Sequence, residues 1–97
     1  MKIDPGALEF EWDRGNLGKN KKHDVVDSES EEVFFDEHKA VLRDPVHSGK
    51  EERSILIGKT KAERLFFVVF TKRGKKIRVI SARDVNRKEM HLYEKKP

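Results

Sequence analysis

The apolar positions of this 97-residue chain fall into short runs with two different periods. "FEWD", residues 10–13, alternates Phe10 and Trp12 with Glu11 and Asp13, the period-two pattern of a short half-buried strand. "RGNLGKNKKHD" mixes Gly, Asn and Lys and predicts at most a short, poorly propagating helix, because a glycine in a helix interior costs about 1 kcal/mol against alanine. Asp27 or Ser28 is placed to N-cap the next segment. Glu29, Glu31 and Glu32 then oppose the positive end of the helix dipole, and Val33 and Phe34 supply the apolar stripe, so a helix is expected over residues 28–37. "KAVLRD" reads as a strand and "PVHSGKE" as a polar loop broken by Pro45 and Gly49.

Three further strands follow, "RSILIGKT", "RLFFVVFTK" and "KIRVISARDV", joined by "KAE" and by a turn around Arg73-Gly74-Lys75. Connections this short require antiparallel neighbours, since a parallel pair needs a crossover of about a dozen residues or more. "LFFVVF" is apolar on both faces, which predicts a central strand covered on both sides. The last segment supplies a cover: Asn86 with Glu89 forms a near capping box, Val85 and Met90 stand at the positions of a hydrophobic staple, and Leu92 and Tyr93 continue the apolar side. The order is a short N-terminal strand, a helix, about four antiparallel strands and a helix, an α+β domain with helices packed on a sheet. Residues 1–9 have no clear period and carry a turn at Asp4-Pro5-Gly6, so they are expected to be a flexible leader or an artificial remnant, with one domain over residues 10–97.

Composition changes this picture in four ways. A chain of this length buries only roughly 60–70% of its unfolded surface, so the core must be small, and six Phe, one Trp and one Tyr supply much of it. There are no cysteines, which removes disulfides and thiolate metal sites. "LFFVVF" is too short to span a bilayer and no signal peptide opens the chain, so a cytoplasmic location is expected. The net charge of +4 hides an asymmetry: residues 1–52 carry 8 basic and 14 acidic side chains, and residues 53–97 carry 14 basic and 4 acidic. The second half is a candidate surface for a polyanion, although each single lysine is better explained as part of a solvated face.

The chemistry-bearing residues divide by position. Glu51 and Arg53 stand two apart at the mouth of a strand and so share a face; they read as a proton-transfer group beside a phosphate clamp or, on spacing alone, as an ordinary ion pair. Arg64 opens the central strand and, taken alone, is better explained by an edge charge that keeps an apolar strand soluble. Arg83 follows Ile77, Val79 and Ser81 on one strand face and is expected at the rim of the sheet, with Arg78 on the opposite face. An arginine there presents a planar fork of donors that matches phosphate oxygens and keeps its charge at cellular pH. Lys22 and His23 are candidate proton-transfer groups, since histidine as a residue type titrates near neutrality. His38, His47 and His91 have no metal-ligand spacing with His23, and no Gly-rich nucleotide or nucleophile-elbow motif is present, so neither a metal nor a cofactor is expected.

Taken together, "FEWDRGN", "KN", "KH", "EEVFFDE", "HSGKEER", "IGKT" and "RVISARDVNRKEMHLYEK" resemble the BrnT ribonuclease toxins of bacterial type II toxin–antitoxin modules, over residues 10–95. The most specific part is the "ISAR" strand followed by a helix with Glu89 and the Tyr93-Glu94 pair. The resemblance implies a RelE-like α+β fold, cleavage of RNA, and neutralisation by a BrnA-type antitoxin whose ribbon-helix-helix part binds operator DNA. Metal-free cleavage needs a base for the 2′-OH, cations for the charge that builds on the phosphate, and an acid for the leaving oxygen. Under the resemblance, Lys22, His23 and Glu51 supply proton transfer, and Arg53, Arg64 and Arg83 stabilise the phosphate. Two residues separate Asn20 from His23 where relatives usually have three, a departure that displaces Lys22 and His23 by one position. A catalytically inactive antitoxin-binding partner and a basic nucleic-acid-binding domain are the alternatives.

Overall fold

In the computed structural model, which describes residues 8–44 and 51–94, a five-stranded sheet has the order β1-β5-β4-β3-β2. Its strands are β1 (Glu9–Phe10), β2 (Ala40–Asp44), β3 (Arg53–Lys59), β4 (Leu65–Arg73) and β5 (Lys76–Asp84). β2 to β5 form the expected antiparallel run. β1 joins the edge of β5 in parallel, so the sheet is mixed. Two helices, α1 (Asp27–Glu32) and α2 (Met90–Glu94), and two 3₁₀ turns, Lys19–His23 and Val33–Phe35, complete the described part. Pro45, His47 and Gly49 of the polar loop, and most of the expected leader, lie outside the described residues.

The sheet has one packed face and one half-open face. On the inner face Leu56, Phe66, Val68, Phe70, Ile77, Val79 and Ala82 pack against Val25, Val33 and Phe34. Phe34 meets Phe10 and Phe70 edge-to-face at centroid distances of 5.2 and 5.0 Å. The segment Val33–Phe35 tightens from α-helix to 3₁₀ where it presses on β3, at the one position without a side chain: a Cβ on Gly58 would lie 2.8 Å from the Val33 carbonyl oxygen. Backbone cannot yield as a flexible side chain does. Gly58→Ala is therefore expected to lower stability by about 1–3 kcal/mol, the usual cost of overpacking, measured by thermal or urea unfolding. An unchanged midpoint would show that the helix layer shifts freely.

β4 is central, as its apolar run predicts, but its second face is not fully covered. Leu65, Phe67 and Val69 are only half-buried, and α2 packs chiefly on β3. The capping box foreseen at the C-terminal helix forms: Glu89 N–H donates to Asn86 Oδ1 at 3.0 Å and Asn86 N–H to Glu89 Oε1 at 3.1 Å. Met90, expected in a staple with Val85, stays 42% exposed. A second anchor holds α2: the Tyr93 hydroxyl donates to Asp36 Oδ2 at 2.8 Å, and the same carboxylate oxygen accepts the Lys59 N–H.

Burial and the Asp36 bond push the Tyr93 phenol up to about 12. The shift favours the neutral phenol in the fold, so its stability is present below the ordinary value of 10.0 and is lost as pH rises toward 12. The chain has one tyrosine, so its ultraviolet titration is a single-residue readout. Its midpoint should lie near 12 in the parent and fall toward 10.0 in Asp36→Asn. A parent midpoint near 10.0 would mean that α2 does not hold this contact in solution.

Candidate nucleic-acid interface

One irregularity decides where the arginines point. Val69 pairs with Ser81 and Phe70 with Val79, so Ile80 is an extra residue in β5. A bulge of this kind reverses the alternation of the strand. Before it, Ile77 and Val79 face the inner core; after it, Ala82 does, and Arg83 turns outward opposite Phe67. Arg78 is opposite Thr71, which shares a face with Phe67. Arg78 and Arg83 therefore lie on the same face, and the expectation that Arg83 follows Ile77 and Val79 is corrected. Arg53 also pairs with Thr71, so the outer face carries Arg53, Arg78 and Arg83 around the half-buried Phe67 and Val69. The acidic α1 lies on the other side of the sheet.

Arg83 is built in from several sides. Its guanidinium lies 4.3 Å from the centroid of the Phe67 ring. Nη1 and Nη2 donate to the two oxygens of Glu89 at 2.8 and 2.7 Å, and Nη1 also reaches the Asp84 carbonyl at 3.1 Å. Nε takes part in none of these bonds, which are made by Nη1 and Nη2 alone among the described residues. The Glu89 bond raises the Arg83 pKa, and the Arg83 bond in turn holds the Glu89 carboxyl below its ordinary range. Glu89 is legible in the sequence as a capping residue; its second task, six residues from Arg83, is visible only once the strand end and the capping box are placed together.

The remaining candidates separate into three places. Lys22 and His23 are exposed on the 3₁₀ turn Lys19–His23, which packs against β5. Glu51 and Arg53 stand at the opposite end of the outer face from Arg83, about four residues along the strands and two strands across, or roughly 16 Å at ordinary sheet spacing. Glu51 binds Arg73 in a bidentate pair, and that bond is the main cause of its lowered pKa; Arg53 adds a smaller electrostatic contribution. Arg64 lies over the ring of Phe66, an inner-face residue, at 4.7 Å. It donates to the Asp24 carbonyl at 2.9 Å and pairs with Glu29 and Asp84 at 3.2 and 3.1 Å. The sheet thus separates Arg64 from Arg83, and Arg64 ties the end of the Lys-His turn to α1 and β5.

Arg78, for which sequence spacing gave no task, holds the N-terminal segment on the sheet. It binds both oxygens of Asp13 at 2.8 Å and Glu11 at 3.2 Å. An added side chain at Gly15 would collide with it. Trp12 adds a bond from Nε1 to Glu31 at 2.7 Å. The "FEWDRGN" stretch is therefore a clamp built on β5.

Residues 12–89, 78 of the 97, match the family model described as "Ribonuclease toxin, BrnT, of type II toxin-antitoxin system". The chain belongs to the BrnT family. It is accordingly a ribonuclease toxin of a type II toxin–antitoxin module, with RNA as target and an antitoxin as partner. The BrnT match begins at the Trp12 clamp and ends at Glu89, so it spans all six candidate residues and the Arg83–Glu89 pair. Comparison with curated proteins finds no match. No helix among the described residues is long and apolar enough to cross a membrane.

Proposed function

We propose that this BrnT chain is an endoribonuclease that cuts RNA without a metal ion, and that the outer sheet face is where the RNA lies. The observation that carries this reading is the Arg83 guanidinium, fixed over Phe67 by Glu89 beside a half-buried apolar strip. A strip of this kind suits unstacked bases, and the arginines suit the backbone that joins them. Arg83 stabilises charge on the scissile phosphate, and Arg53 holds a flanking part of the strand. Arg64 contributes from the inner side, by holding Asp24 and with it the turn that carries Lys22 and His23. Of the proton-transfer candidates His23 suits the base better than Glu51, whose carboxyl Arg73 makes less basic. Lys22 supplies the second proton-transfer group.

The fold is read as RelE-like, over a single domain that already includes β1 at Glu9. The partner is read as a BrnA-type ribbon-helix-helix antitoxin, with operator DNA reached only through it, and the compartment as the cytoplasm. The test is incubation of the purified chain with RNA in EDTA, read on a gel. Cleavage that survives chelation is the expected result. Cleavage only with added divalent ion would overturn metal independence, and intact RNA in both conditions would favour an inactive antitoxin-binding partner.

A further inference from the structure

The bulge that turns Arg83 outward sits on a strand whose far edge has lost its neighbour. β1 pairs with β5 only at Lys76 and Ile77, with one further bond from Glu11 N–H to the Ile77 carbonyl. From Val79 to Ala82 the edge is met by two asparagine side chains. Asn16 Nδ2 donates to the Val79 carbonyl at 3.0 Å and to the Glu11 carbonyl at 2.9 Å, while its Oδ1 accepts the Asp13 N–H at 2.8 Å. Asn20 Oδ1 accepts the Ala82 N–H at 3.0 Å. The two bonds bracket Ile80 and Ser81, the site of the extra residue. Both asparagines are buried, at 2% and 1% exposure.

We infer that Asn16 and Asn20 are positioning residues of the ribonuclease site, acting by holding the β5 bulge in the register that presents Arg83 on the outer face. Asn20 does this from within the turn Lys19–His23, so the same bond fixes Lys22 and His23 against the strand end that carries Arg83. The inference rests on the assignment of these residues to the site.

The contact is also costly to lose: Asn20 is 1% exposed and Ala82 is fully buried, so removal of Oδ1 leaves the Ala82 N–H buried without its acceptor.

The test compares cleavage of a fluorescent single-stranded RNA by the parent, Asn20→Ala, Asn20→Ser and Asn20→Asp, with rates expressed per folded molecule from unfolding curves of each. Removal of the Ala82 acceptor should lower kcat by about 10–100-fold with KM changed less than threefold, because small misplacement of reacting groups costs on this scale. Asn20→Asp, which keeps an oxygen opposite the Ala82 N–H, should recover at least a third of the logarithm of that loss. If Asn20→Ala does not fold at the assay temperature, Asn20→Ser is judged by the same criterion. A folded Ala or Ser variant with kcat within twofold of the parent overturns the inference and leaves the ribonuclease reading standing. A parent that cleaves no RNA overturns both.

Discussion

Replacement of Arg83 by alanine should lower the RNA cleavage rate by about 10²–10³-fold, the usual effect of deleting one preorganised group that faces developing negative charge. The size of the effect follows from how firmly the side chain is held. Glu89, the Asp84 carbonyl and the Phe67 ring fix the guanidinium before RNA arrives, so little reorganisation remains for the transition state. Stability should fall much less, by about 1–2 kcal/mol, since Glu89 keeps its bond from the Asn86 N–H. Arg83→Lys keeps a positive charge but loses the fork and the stacking, and should land between parent and alanine. The measurement is the initial rate at saturating RNA for the three proteins, with circular dichroism melts to show that each is folded. A folded Arg83→Ala protein with undiminished cleavage would move the phosphate site away from this end of the sheet.

The same residue marks the boundary of what the sequence makes legible. Strand positions and order follow from period-two runs and short connections, and β2 to β5 lie within a residue or so of those expectations. The turn at Gly74 was legible too: its φ of 60° is the left-handed conformation that a two-residue hairpin needs at its first position. The facing of Arg83 was not, because one extra residue in β5 inverts the alternation and no local pattern in "KIRVISAR" marks it. The signal lay far off in the sequence, in Asn16 and Asn20, whose side chains stand in for a missing strand neighbour. Long-range pairing explains the other differences. β1 is parallel because its partner lies across the whole domain and no short loop constrains the pair. The helix expected over residues 28–37 ends in a 3₁₀ turn because Val33 must close on Gly58. Arg64 and Arg83 share a residue type and one end of the sheet, yet their neighbours on β4, Phe66 and Phe67, point to opposite faces.

Phe34→Ala should produce a large loss of stability and, through it, a loss of cleavage of a different kind from that of Arg83→Ala. Phe34 is fully buried in the 3₁₀ turn that seals the inner face, and its ring edges meet Phe10 on one side and Phe70 on the other. Truncation removes the transfer free energy of the ring and leaves a cavity that a rigid sheet cannot close, a combined cost of about 3–5 kcal/mol. Domains of this size hold only about 5–15 kcal/mol in all. At about 4–8 °C per kcal/mol, the midpoint of thermal unfolding should fall by roughly 15–30 °C. Activity should then follow the folded fraction: near parental when the variant is assayed cold, and lost on warming well before the parent loses it. Arg83→Ala should show the reverse, a deficit present at every temperature at which the protein is folded. A Phe34→Ala melt within about 5 °C of the parent would mean that the core relaxes around the missing ring, and that the inner face is less rigid a support for the outer one than the packing of Phe34 implies.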